Sequence, residues 1–271
     1  MKSDLIKAGS LTKLSGAITP PLQTPRTVSN IYKANCHLML MDYKYGDCVF
    51  GDLNSDKTLF LFGDSHASQW FPALEEIALK YHYKLYAQTK TACGISTEVP
   101  PMVRLNGKPY ETCLLAQENT IKKIAEVKPD LVLMSSRLID EKGPRSASWF
   151  AGMTKQLKKV RAAADGKVLY LGDTPYPGFF VAECLLKNSS QVNKCNSSIK
   201  SAKQNDLTGP GTKAAKNAGV VYVSLINWLC SDKNCPATLN NILMYIDSSH
   251  ITTEASKMYS PLLYKEVIKF L

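Results

Sequence analysis

Ser65, Asp247 and His250 are the residues whose types and settings best suit chemistry. Ser65 lies in Gly63-Asp64-Ser65-His66, straight after the apolar run Thr58-Leu59-Phe60-Leu61-Phe62. Glycine permits a tight turn there, and a serine at the mouth of the next helix meets main-chain N–H groups that have no helical partner. Such amides can hold the oxyanion that forms when a hydroxyl attacks a carbonyl. Serine at this position also serves widely as a simple helix cap, so the motif needs a second element before it means catalysis.

Tyr245-Ile246-Asp247-Ser248-Ser249-His250 supplies that element. A nucleophilic serine needs a base, and the base needs a carboxylate that fixes its tautomer. An aspartate three residues before a histidine on one turn can accept a hydrogen bond from Nδ1–H and leave Nε2 facing a serine from another loop. Asp247 could instead only cap the closing helix. The chain order Ser, Asp, His without a GxSxG elbow argues against an ordinary α/β-hydrolase.

Positioning these loops requires a scaffold. The run 58–62 reads as a buried strand, and 69–80 carries a helical period through Trp70, Leu74, Ile77 and Ala78. Further strands are expected at 84–88, 130–135, 167–172 and 220–225, and helices at 114–127, 147–164, 206–218 and 253–270. Five strands separated by helices imply crossovers and a parallel sheet covered on both faces. Ligands bind such sheets beyond the carboxyl ends of the strands, where Ser65 stands. Residues 1–35, rich in Lys, Ser, Thr and Pro, read as a linker or surface-wrapping extension.

Composition narrows the class. The chain has 271 residues, 45% of them hydrophobic, which excludes disordered and collagen-like classes and allows one large core. No apolar run approaches the roughly 18 residues of a membrane-spanning helix, and residues 1–7 lack the apolar centre of a secretory signal. The net charge of +10 comes from scattered lysines, as at Lys122-Lys123 and Lys158-Lys159, so a nucleic-acid groove is not expected. Solvated surface explains that charge, with attraction to an anionic cell-surface polymer as the sharper reading. Eight cysteines without CxxC or metal-ligand spacing point to an oxidising compartment and to no metal. Sequence neighbours suggest the pairs Cys36–Cys48, Cys93–Cys113, Cys184–Cys195 and Cys230–Cys235. An oxidised chain without an export signal is expected to be part of a longer, exported polypeptide.

The blocks 63–70, 129–133, 171–175, 227–230 and 247–252 together resemble the SGNH (GDSL-like) hydrolase family. They look in particular like the SGNH domain that follows the membrane-embedded acyltransferase 3 family of bacteria, from about Cys36 to the C-terminus. The resemblance implies a three-layer α/β/α sandwich, flavodoxin-like, with a five-stranded parallel sheet. It divides the chain into an extension from the membrane domain (1–35) and a catalytic domain (36–271). Ser65 then matches the nucleophile, His250 the general base and Asp247 its orienting carboxylate. The implied activity is serine-dependent O-acetyl transfer onto a sugar hydroxyl of a cell-envelope glycan such as lipopolysaccharide O-antigen, the leading acceptor, or peptidoglycan. The acetyl group would come from the membrane domain, ultimately from acetyl-CoA, with no cofactor held here. A periplasmic location and a monomeric fragment are expected. An acetylesterase with the same triad and an inactive glycan-binding module are the competing readings.

The chain departs from that pattern at the oxyanion site. Family members add a glycine and an asparagine as donors, but Ser135-Ser136-Arg137-Leu138 offers no asparagine. Arg137 is the expected substitute, with the Ser65 amide and one amide of Thr91, Ala92 or Cys93, represented by Ala92, on a loop held by Cys93–Cys113. His66 is expected to shape the site rather than act as base, and His37 and His82 to lie on the surface. Trp70, Trp149 and Trp228 read as core residues, and Tyr176 and Phe179 as an acceptor-binding wall.

Overall fold

A computed structural model describes residues 2–99, 105–140, 143–204 and 209–271. Its central sheet contains β1 (His37–Leu38), β2 (Val49–Gly51), β3 (Thr58–Gly63), β4 (Lys84–Lys90), β5 (Leu131–Ser135), β6 (Val168–Leu171) and β7 (Val221–Val223). The spatial order is β1-β4-β3-β5-β6-β7, all parallel, while β2 runs antiparallel along the first half of β4. The five expected strands form the body of this sheet. β1 and β2 extend it to seven strands, because the disulfide-closed segment 36–48 folds back onto the β4 edge.

The strands are apolar on both sides because both sides are covered. Leu59 and Leu61, Leu131 and Leu133, and Leu169 and Leu171 enter one core. The alternate residues Phe60 and Phe62, Val132 and Met134, and Val168 and Tyr170 enter the other. That period of two across a doubly covered sheet produces the α/β/α sandwich. On the first face lie α1 (Phe71–Lys80), which buries Phe71, Leu74 and Ile77, and the C-terminal helices. On the second lie α2 (Glu111–Val127), α3 (Ala147–Ala163) and α4 (Pro210–Asn217). Each Leu or Phe so buried contributes about 1.5–3 kcal/mol relative to exposure.

Two expected helices differ in extent. Of the span 206–218, residues 206–208 lie outside the described residues, and the helix runs Pro210–Asn217. The closing helix divides into α5 (Thr253–Met258) and α6 (Ser260–Val267), because Pro261 has no N–H with which to continue the first. The first 35 residues include the helix Lys2–Ser10, whose Leu5 joins the core, as does Ile31. Asn196 and Asn234 donate to the Gly9 carbonyl at 2.9 and 3.1 Å, so this segment is laid against the body of the domain. All eight cysteines are paired, as Cys36–Cys48, Cys93–Cys113, Cys184–Cys195 and Cys230–Cys235. Among the described residues no helix is long and apolar enough to cross a membrane.

Candidate active site

β3 ends at Gly63, whose φ of +152° carries the chain into a sharp turn. A Cβ at this position would collide with the Ser135 carbonyl and the Ala67 methyl, so only glycine fits. Ser65 opens the one-turn helix Ser65–Ser68, and Asp64 caps it by accepting the His66 N–H at 2.8 Å. The second loop is pinned from outside: Ile251 N–H donates to Gln69 Oε1 at 2.9 Å, and Thr174 Oγ1 donates to the Ser249 carbonyl at 3.0 Å.

These two loops bring Ser65, Asp247 and His250 together. His250 Nε2 stands 2.8 Å from Ser65 Oγ, and His250 Nδ1 stands 2.8 Å from Asp247 Oδ2. Asp247 Oδ1 accepts the main-chain N–H groups of Ser249 and His250, each at 2.8 Å. Burial alone would raise the Asp247 carboxyl. The hydrogen bonds and charge of His250, with the two amides, outweigh it and hold the group below the usual carboxylate range. An ionised Asp247 accepts the hydrogen bond from Nδ1–H, which keeps the proton on that nitrogen and leaves Nε2 as the acceptor for the serine hydroxyl. The arrangement can therefore deprotonate Ser65 as it attacks a carbonyl.

A family model described as "SGNH domain (fused to AT3 domains)" matches residues 35–265. The chain belongs to the SGNH family. Its fold is similar to that of "Salmonella ser. Paratyphi A lipopolysaccharide acetyltransferase periplasmic domain", with a TM-score of 0.58 and 16% identity over 91% of this chain and 93% of that one. A GDSL-like lipase from Bacteroides thetaiotaomicron matches with a TM-score of 0.47 and 14% identity, over 79% of this chain and 89% of that one. No curated protein matches the chain.

In this SGNH domain the oxyanion region can be sorted by which amides are already committed. Thr91 N–H donates to the Leu38 carbonyl and Cys93 N–H to the Lys90 carbonyl. Ala92 N–H and Ser65 N–H donate to nothing among the described residues. Ala92 holds a left-handed φ of +53°, a conformation costly for a residue with a side chain. The Cys93–Cys113 disulfide and Gln117, which donates to the Gly94 carbonyl at 2.9 Å, hold that loop. Arg137 does not sit as expected of the missing asparagine. Its main-chain N–H donates to Asp64 Oδ2 at 3.0 Å and its Nε to the Ile139 carbonyl at 2.7 Å, while its guanidinium lies 5.2 Å over the Tyr176 ring.

The remaining candidates divide. Tyr176 is half-buried beside the site, whereas Phe179 packs against the core and its neighbour Phe180 is the exposed ring. Trp70 and Trp149 are buried, and Trp228 packs edge-on against Trp70. His82 is on the surface, paired with Asp52. His37 is not: the β1 position buries it, with Nδ1 2.8 Å from Thr89 Oγ1 and Nε2 3.0 Å from Thr91 Oγ1. Asp64 and Asp173 also hold the site together, a role the sequence reading does not assign. Both fall inside the blocks 63–70 and 171–175, and each lies just past the end of a parallel strand, at the edge where such sheets bind ligands.

Proposed function

We propose that this SGNH domain is the serine-dependent O-acetyltransferase unit of a longer membrane polypeptide, moving an acetyl group onto a sugar hydroxyl of a bacterial cell-envelope glycan. The 2.8 Å contact between Ser65 Oγ and His250 Nε2, backed by Asp247, carries the reading. Ser65 Oγ attacks the acyl carbonyl while His250 takes its proton. The donor's leaving group departs with that proton, and an acetyl ester remains on Ser65. The sugar hydroxyl then gives its proton to His250 and attacks the ester, and Ser65 leaves with the proton restored. The Ser65 and Ala92 amides hold the oxyanion in both halves.

The family's fusion to AT3 domains supports a membrane acyltransferase on the same polypeptide as the acetyl source. Four disulfides support a periplasmic setting. Lipopolysaccharide O-antigen leads the acceptor candidates, because the Salmonella neighbour is described as a lipopolysaccharide acetyltransferase. Tyr176 offers a ring to a pyranose at the site's edge. Water competes with any acceptor, so hydrolysis of the acetyl-enzyme is the expected side reaction.

The test is to react the domain with a chromogenic acetyl ester, quench, and map the acetyl group by mass spectrometry with and without O-polysaccharide or chitooligosaccharide. Acetyl on Ser65 that moves to sugar supports transfer. Acetyl found on another residue refutes the mechanism, and release only as acetate with every acceptor favours the esterase.

A further inference from the structure

His66 follows the nucleophile directly, yet its side chain turns away from solvent and is 2% exposed. Nδ1 lies 2.6 Å from Asp173 Oδ1, and the other oxygen of that carboxylate accepts the Leu138 N–H at 2.8 Å. The His66 ring centroid stands 4.5 Å from that of His250, with the planes tilted by 51°. His66 Nε2 is buried without a hydrogen-bond partner among the described residues.

We propose that His66 and Asp173 are positioning residues: a second, buried histidine–aspartate pair that holds an imidazolium against the His250 ring and keeps that ring aimed at Ser65. The proposal rests on reading His250 as the base.

The charge follows from the surroundings. Burial works against the His66 cation, but the Asp173 carboxylate outweighs it by charge and hydrogen bond, Asp64 adds to it, and Arg137 opposes it. The net direction for His66 is upward from an ordinary histidine. His250 is faced by Asp247 from its own loop, by His66 from the nucleophile helix and, through its field, by His37 from β1. Burial strongly disfavours charge on His37. Asp247 holds one edge of the His250 ring at 2.8 Å, and the His66 ring lies against it at 4.5 Å, so a charge on either neighbour acts on that ring at close range. Mechanically, the pair links the nucleophile turn to the ends of β5 and β6 through Leu138 and Asp173.

Asp173→Asn tests this in the whole domain. The amide oxygen can still accept the Leu138 N–H and its NH2 can donate to a neutral His66 Nδ1, so the charge pair goes while both hydrogen bonds stay. The readouts are the ring resonances of His66 and His250 followed by NMR against pH, and the pH profile of aryl acetate hydrolysis. In the wild type, both ring nitrogens of His66 carry protons at pH 7. In Asp173→Asn, the His250 midpoint rises by about one pH unit, and the acid limb of the rate profile rises with it. His66→Asn, which leaves the Asp173 charge behind, moves the midpoint further the same way, and Asp173→Asn decides alone if that variant does not fold.

A merely structural role lowers the rate at every pH with the midpoint unmoved, and that result overturns the proposal, as does a neutral His66 at pH 7. An unmoved midpoint with Ser65-dependent hydrolysis leaves the proposed function standing without this device. A shifted NMR midpoint without Ser65-dependent hydrolysis keeps the pair and removes that function.

Discussion

Asp64 Oδ2 accepts the main-chain N–H of Arg137 at 3.0 Å, joining the turn that carries Ser65 to the loop that follows β5. The other oxygen holds the His66 N–H at 2.8 Å, so one carboxylate spans the two segments that meet at the sheet's carboxyl edge. This bond is also why Arg137 cannot offer its amide to an oxyanion.

Replacing Asp64 with alanine strands two amides in a place where the side chain is 1% exposed. Buried donors left unpaired cost about 1–3 kcal/mol each, so Asp64→Ala is expected to lose about 2–6 kcal/mol of stability. Asp64→Asn, which keeps an acceptor for one amide, is expected to lose less. Urea denaturation of the two variants checks the order, and equal stabilities would show that Asp64 does not bridge the segments.

The Cys93–Cys113 bridge closes a loop of sequence separation 20 directly after Ala92. Loop-closure entropy alone makes it worth about 3 kcal/mol. Changing both cysteines to serine is expected to lower kcat more steeply than stability alone explains, because the left-handed Ala92 loses its restraint. Comparing kcat at a temperature where the variant is fully folded separates the two effects. Full activity there would mean that the loop supplies no oxyanion donor.

His37 makes stability pH-dependent. Burial, with help from His250 and Lys90, lowers its pKa to about 4 from 6.5. The unfolded chain therefore binds the proton first as pH falls, and the native state loses stability from about pH 6.5 down to about pH 4. Between pH 7 and pH 4.5 this amounts to about 2–3 kcal/mol. His37→Gln should remove that part of the acid sensitivity, which urea midpoints at the two pH values would reveal. His66, with its pKa raised, acts oppositely: the stability it contributes is present at low pH and lost as pH rises through its folded-state value.

The long strands can be read from the sequence because each is apolar on both faces: 58–62 and 130–135 have no other plausible use. β1 and β2, with two and three residues, have no period to detect; they flank the Cys36–Cys48 bridge and pair with β4, a tertiary contact that local sequence does not show. The same segment hides His37, whose burial depends on Thr89 and Thr91 some fifty residues away. Ser65, Asp247 and His250 are readable because each sits in a short motif whose spacing has chemical meaning. The oxyanion region is not, because the choice among Thr91, Ala92 and Cys93 depends on which amides other strands have already taken. Phe179 and Phe180 show the same limit, since adjacent aromatic residues in a loop do not announce which one faces the core.

Turnover of a chromogenic acetyl ester by the wild type beside Ser65→Ala tests the central claim most directly. The Ser65 hydroxyl is the group that His250 Nε2 faces at 2.8 Å, and its removal takes away that oxygen without filling or emptying a core position. The account predicts a loss of about 10³-fold or more in kcat/KM, with the melting temperature and spectrum of the folded domain retained. Turnover that survives the substitution would contradict Ser65 as the nucleophile, and with it the acetyl-enzyme route.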